Sequence, residues 1–265
     1  MKKTIAYQVV SLSCLFLLAT HSLLAEENQL VINSGFDYTE GRYGGDATSS
    51  YQSIPLNIIY SSGPWSYKIG SSMVRVSGES TVISSGRMMG RRNTSTTTTT
   101  LTKQNTSQMG LGDALTAVSY NLYSNDAFDS GVDLTLRAKL ATAQASLGTG
   151  QNDYATQLFI FETFNHFSTT LLIGYEVLGS STENPMNNIG FGSISGGYTF
   201  SNHTSIGAEW RYAQQATALG AEELELRLYL SQQLSDQFTL RSSLRKGYSI
   251  GSPDFGIGFS ISRIY

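Results

Sequence analysis

Beyond its first 25 residues this 265-residue chain has no cysteine; its single one is Cys14. That excludes a disulfide framework, a thiolate nucleophile and a cysteine–zinc site from the remainder. Charge is scarce as well: Asp, Glu, Lys and Arg make up 14% of the chain, against about 25% in soluble domains. Past residue 25 there is no run of about 18 apolar residues, so no transmembrane helix is expected. Nor is there a cationic excess. Without Lys2 and Lys3, the remaining 15 Lys and Arg face 20 Asp and Glu, a balance near −5. No basic face for nucleic acid is available. Proline is rare, with four residues, while glycine (26) and tyrosine (15) are abundant. Few charges, many Tyr and Gly, and no long apolar run point to strands with one apolar face and one small or polar face.

Residues 1–25 read as a secretory signal peptide. Lys2 and Lys3 form the basic start, and Ile5 to Leu18 form an apolar stretch too short to span a membrane comfortably. Cleavage is expected after Ala25, with Leu23 at the −3 position. A lipoprotein reading at Cys14 is disfavoured, because Ser11-Leu12-Ser13 lacks the leucine preferred three residues before the modified cysteine. The domain expected after cleavage is 26–265.

That domain shows twelve stretches of period-2 alternation, at about 29–39, 50–61, 64–76, 111–123, 130–141, 153–164, 167–178, 187–200, 203–214, then around Leu224–Leu230, Phe238–Arg245 and Phe255–Ser262. The clearest sets Leu224, Leu226, Leu228 and Leu230 against Glu225, Arg227 and Tyr229. Alternation of this kind puts one apolar and one polar face on each strand. Two stretches are irregular. Leu158-Phe159-Ile160-Phe161 is apolar on both faces, and 187–200 changes parity near Ser193, which predicts a bulge there. Connections after the even-numbered stretches are short, and those after the odd-numbered ones are mostly longer, the longest being about 77–110 with Arg87, Arg91, Arg92 and a threonine run. This is the pattern of an all-β, transmembrane, antiparallel up-and-down barrel of about twelve strands, with short periplasmic turns and long extracellular loops. Lipid cannot satisfy a sheet edge, so the sheet must close. The polar loop 77–110 is expected at the surface, or as a lid.

The last stretch, FGIGFSISRIY, fits a strand that closes the barrel against the first. Ile257, Phe259, Ile261 and a terminal Tyr265 match the signal read by the barrel-assembly machinery; Arg263 stands where an apolar residue is usual. Aromatics collect near both predicted rims: Tyr60, Trp65, Tyr67, Tyr120, Tyr123, Phe164, Phe167, Tyr198, Phe200 and Tyr265 at the short-turn end, and Tyr38, Tyr212, Tyr248 and Phe255 at the other. Two such girdles would sit at the two membrane interfaces.

Three stretches, SIPLNIIYSSGPWSYKIGSSMVRVSG (53–78), GLGDALTAVSYNLY (110–123) and DLTLRAKLATAQASLGTGQNDYATQLFIF (133–161), carry a resemblance. Their order and spacing resemble the outer-membrane barrel family named for the meta-pathway of phenol degradation, whose members are labelled transporters. The marks are Gly63-Pro64-Trp65, Gly110-Leu111-Gly112-Asp113, and Gly148-Thr149-Gly150 before Asp153-Tyr154. The chain departs from that pattern where ALATAQASLGTG lacks the family's proline-containing Leu-Pro-Thr-Gly run. The resemblance implies an outer-membrane barrel that passes small aromatic or hydrophobic molecules.

No constellation for catalysis is present. His166 and His203 fall in short turns of separate hairpins, without convergent partners for a metal or a nucleophile. The chain is therefore expected not to be an enzyme and to need no cofactor. The charges with inward parity are the candidate pore lining: Lys68, Asp133, Arg137, Lys139, Glu176, Glu209, Arg211, Glu225, Arg227, Arg241 and Arg245. An Arg or Lys facing lipid at mid-membrane would cost about 2–4 kcal/mol, so the lumen is where they belong. They set selectivity or pair off to fill a narrow barrel. The function expected is a passive outer-membrane channel for small molecules, with lipid, the assembly machinery and a solute as its partners. A channel for small acidic solutes and a closed structural or adhesin-like barrel are the alternatives.

Overall fold

A computed structural model describes the chain from residue 28 to 265, apart from 44–46, 80–81, 86–89, 94–104, 126–128, 145–146, 183–184, 202 and 219. The expected signal peptide and the threonine run lie outside the described residues. Every element assigned is a strand: β1 Gln29–Gly41, β2 Ser49–Ser62, β3 Trp65–Glu79, β4 Val82–Ser85, β5 Gly90–Asn93, β6 Asn105–Leu111, β7 Ala114–Asn125, β8 Ser130–Leu140, β9 Asp153–Phe164, β10 Phe167–Val177, β11 Ile189–Ser201, β12 Thr204–Ala213, β13 Glu223–Gln233, β14 Phe238–Gly247 and β15 Phe255–Ile264.

Each barrel strand pairs antiparallel with its sequence neighbours, and β15 pairs with β1. β6 and β7 both pair with β3 and are two halves of one stave, broken at Gly112-Asp113. The result is a closed barrel of twelve staves. β4 and β5 form a separate small hairpin beyond the barrel wall. β3 thus runs to Glu79 and its partner starts at Asn105, so the wall extends into the segment read from sequence as the loop 77–110. Closure at the seam runs from Val31 opposite Ile264 to Glu40 opposite Phe255. Asn33 reinforces it, donating from Nδ2 to Ser262 Oγ at 2.8 Å.

The outside of the barrel is apolar. Ile54, Leu56, Ile58, Ile69, Leu136, Leu158, Ile160, Ile173, Leu228, Leu230, Leu244, Phe259 and Ile261 all stand exposed on it. The inside holds the polar parity, for example Asn33, Asn57, Thr135, Gln157 and Ser262, all buried. Rings gather at the short-turn end: Trp65 packs edge-on to Tyr120 at 4.7 Å, and Tyr198 packs against both Phe167 and Phe200. Short turns are made by residues that accept a positive φ. Gly63 takes it between β2 and β3, and Asn165 between β9 and β10.

One expectation is corrected. β11 keeps register with β12 from Phe191 through Thr199, and the irregularity falls between Thr199 and Ser201, not near Ser193. The apparent parity change arises because Ile189 and Phe191 point inward with Ser193 and Ser195. They are buried in an apolar cluster with Phe159, Leu172 and Leu178.

Candidate functional site: the barrel interior

All eleven charged residues singled out in the sequence have side chains on the inner side of the wall, and the structure assembles them in groups. On β12–β15 and β1, one cross-strand row runs Glu209, Arg227, Arg245, Gly256, Thr39. Arg227, 1% exposed, donates from Nη1 to Glu209 Oε2 at 3.0 Å. Arg245 passes over the glycine-bearing strand β15 and reaches β1, donating from Nη2 to Asp37 Oδ2 at 3.1 Å. A side-chain carbon on Gly258 would lie 3.0 Å from that Asp37 oxygen and 2.8 Å from Ser243 Oγ. The glycines of the last strand therefore clear the space for a bridge between β14 and β1, two strands apart. Arg245 Nε also stands 3.7 Å from Glu225 Oε2. Arg211 lies opposite Glu225. Arg241 stacks its guanidinium 3.9 Å over the Tyr229 ring. In this group four arginines share the inner face with Glu209, Glu223, Glu225 and Asp37, so the charges balance.

A second row runs across β3, β7, β8, β9, β10 and β11: Lys68, Ala117, Arg137, Ala155, Glu176, Ile189. The alanines are what let the long side chains lie flat. Arg137 crosses Ala155 to pair with Glu176 at 3.2 Å. Nearer the short-turn end, Asp133 Oδ1 accepts a bond from Asn121 Nδ2 at 2.7 Å.

A third group lies at the long-loop end. Lys139 Nζ is 2.7 Å from Asp153 Oδ2, 3.1 Å from Thr149 Oγ1 and 3.5 Å from Asp113 Oδ2, with both carboxylates buried. Asp113 Oδ1 accepts from Ala143 N at 2.9 Å, and Asp153 Oδ1 accepts from Gly179 N at 2.8 Å. The two glycine-rich marks of the sequence, 110–113 and 148–153, therefore meet in space.

Beside the charges runs an apolar stripe that the sequence left undecided. Phe159 and Phe161 of β9 point inward, and with Leu172, Ile189 and Phe191 they form a stripe along the wall from near the short-turn end (Phe161) to the long-loop end (Ile189). Arg137 sits 5.7 Å from the Phe191 ring centre, at the border between stripe and charges. Three inner-face rings lie against a glycine directly opposite: Phe161 on Gly131, Phe191 on Gly174 and Tyr229 on Gly207. Asp37, Asp113, Asp153 and Glu223 are acidic members absent from the sequence-based set. For Asp37 the signal was its parity with Asn33 and Gly35. No group of three or more His, Cys, Asp and Glu able to hold a metal occurs among the described residues. Ile257, Phe259, Ile261 and Tyr265 lie on the outer side, away from the charges.

No family model and no curated protein matches the chain. Among solved structures it is similar to an outer-membrane channel from Pseudomonas putida F1, with 14% identity and a TM-score of 0.65 over 93% of this chain and 98% of that one. It is also similar to the KdgM porin, solved in complex with disordered oligogalacturonate, at 9% identity and TM-score 0.51 over 88% and 98% of the two chains. A third likeness is to the translocator domain of the autotransporter NalP from Neisseria meningitidis, at 8% identity and TM-score 0.50 over 91% and 90%. At such identities the likeness is one of fold. The chain has the closed antiparallel barrel of outer-membrane proteins, with twelve staves.

Proposed function

We propose that this chain is a passive outer-membrane channel for small molecules, exported with a signal peptide over residues 1–25. The observation that carries this is the division of the closed wall into an apolar outside and a charged, hydrogen-bonded inside. Such a wall is stable only with lipid around it and polar groups within it. The short turns then face the periplasm and the long connections face outward. Ile257, Phe259, Ile261 and Tyr265 serve as the signal for the assembly machinery.

Small aromatic or otherwise hydrophobic compounds are the substrates this reading favours. The inner cluster of Phe159, Phe161, Ile189 and Phe191 makes part of the wall apolar beside the charges, and the resemblance to the phenol-pathway family points the same way. A second reading, a channel for small acidic solutes, is favoured by Arg211, Arg227, Arg241 and Arg245 on the adjoining strands β12 to β14. Solutes move down their gradients, and no step requires a cofactor.

Single-channel conductance of the refolded chain in a planar bilayer tests this. Stable steps are expected, blocked by small aromatic compounds added to one side. Steps that ignore aromatics but favour anions in a salt gradient would replace the first reading with the second. Silence, together with unchanged uptake in cells lacking the protein, would overturn the channel and leave a closed structural or surface-binding barrel.

A further inference from the structure

The connection from β8 to β9 does not stand off the barrel. Its described residues, 141–144 and 147–152, turn back over the inner face of the wall. Leu147, 3% exposed, packs with Ala143 against Val74, Val76 and Tyr51. Val74 and Val76 belong to the inner parity of β3, opposite Gly110 and Gln108 of β6. Glycine is needed beneath the loop. A side-chain carbon at Gly110 would collide with Gln144 and come within 2.9 Å of Leu147, and one at Gly112 would meet Val74 at 3.0 Å. The backbone is tied down as well, with Gln144 N donating to Leu111 O at 3.2 Å and Ala141 N to Asn152 Oδ1 at 2.8 Å.

At the centre of these ties is Lys139. One buried ammonium joins the break between β6 and β7 (Asp113), the loop itself (Thr149) and the start of β9 (Asp153). Through Asp153 and Gly179 it also reaches the connection after β10. An apolar cluster would hold a loop without desolvating three charges, and buried ion pairs are best attested as devices that fix one arrangement among several. The exposed residues of the loop include Thr142, Gln144, Gly150 and Asn152, none of them charged.

We infer that residues 141–144 and 147–152 form the size-selecting constriction at the outer mouth of the channel, and that Lys139 is the positioning residue that holds them there. The inference rests on the channel reading above. It gives the two glycine-rich marks complementary roles, with 110–113 as the seat and 148–153 as the clasp.

The domain after residue 25 has no cysteine, so a thiol can be placed at will. Leu147→Cys, refolded in lipid vesicles, reports seating through its reaction with a maleimide. Seated, it reacts at least about tenfold more slowly than in the urea-unfolded chain, because only local opening exposes it. Adding Lys139→Met raises that rate, while the same variant without the thiol conducts in larger steps and admits larger uncharged solutes in vesicle swelling. Leu147→Asp, which leaves the buried charges intact, gives the same larger steps, so the test survives if Lys139→Met does not fold. A thiol as reactive as in the unfolded chain overturns the seating. Wild-type steps that persist unchanged in both variants overturn the constriction and leave the channel reading standing. A silent wild type with conducting variants supports the loop as a seal. Silence in all of them, with the barrel folded, overturns both.

Discussion

The phenol ring of Tyr229 lies over Gly207, the residue directly opposite it on the neighbouring strand, so closely that a side-chain carbon at position 207 would collide with the ring. The ring in turn carries the Arg241 guanidinium at 3.9 Å. Glycine, ring and cation thus form one inward stack spanning β12, β13 and β14. Gly207→Val is expected to displace the ring and to destabilise the barrel by about 1–3 kcal/mol, the usual cost of overpacking a fitted site. Tyr229→Phe keeps the stack and has a far smaller effect. Urea unfolding of the refolded protein, followed by tryptophan fluorescence, checks both. Equal effects from the two variants would refute the account.

The Arg227–Glu209 pair is buried, so removing one partner should cost more than removing both. Breaking a buried pair costs about 3–5 kcal/mol because a charge is stranded, whereas replacing the whole pair by neutral groups is often close to harmless. Arg227→Met is therefore expected to be the worst variant and Arg227→Met with Glu209→Gln to recover much of the loss. Arg211 and Arg241 also stand near Glu209, so the recovery is partial. Unfolding midpoints at low and high salt give the measurement, and the ranking should not change with salt, since a pair out of contact with solvent is weakly screened.

The twelve staves were legible because the alternation that defines them has one cause, a wall with two different solvents. Leu224 to Leu230 shows it without interruption, and the structure pairs those residues as the pattern requires. Where both sides of the wall are apolar the pattern carries no sign, and Leu158 to Phe161 could not be assigned. Phe191 misled for the same reason: an inward aromatic looks like an outward one, and what settles its direction is Gly174 on the next strand. Groupings of charges were less legible than their sidedness. Asp113, Lys139 and Asp153 become neighbours only through register, and Arg245 finds Asp37 only because the barrel closes and β15 supplies glycines between them.

The four arginines of the interior are balanced by Asp37, Glu209, Glu223 and Glu225, whereas Lys139 with its two aspartates carries one more negative than positive charge. Under the channel reading ion selectivity is then modest, and a single substitution on the balanced arginine side tips it. Arg241→Gln removes a positive charge that stacks on the Tyr229 ring. Its reversal potential in a salt gradient should move toward cations relative to wild type, since lining charge sets ion preference. A shift toward anions, or none, would mean that ions do not pass that wall.

The seam makes the most exacting demand, because β1 and β15 stand at opposite ends of the sequence and must meet in register. Tyr265 N donates to Leu30 O at 2.9 Å, and Ile264 N to Gln237 O at 2.9 Å, so the last stave is held from both sides. Asn33, fully buried, adds the side-chain bond to Ser262. The outward residues of the same stave take part only through their backbone; the side chains of Phe259 and Ile261 face away from the interior. Closure and recognition can therefore be separated by mutation. Asn33→Ala should leave the amount of barrel in the membrane fraction near normal. It should lower unfolding stability by about 1–3 kcal/mol, the cost of leaving buried polar groups without a partner. Phe259→Ser with Tyr265→Ser should do the reverse, cutting the amount inserted in cells while the purified chain still refolds in detergent. Gel mobility of heated and unheated samples reads both quantities. If Phe259→Ser with Tyr265→Ser inserts normally, those residues serve the outer wall alone and the assembly signal lies elsewhere.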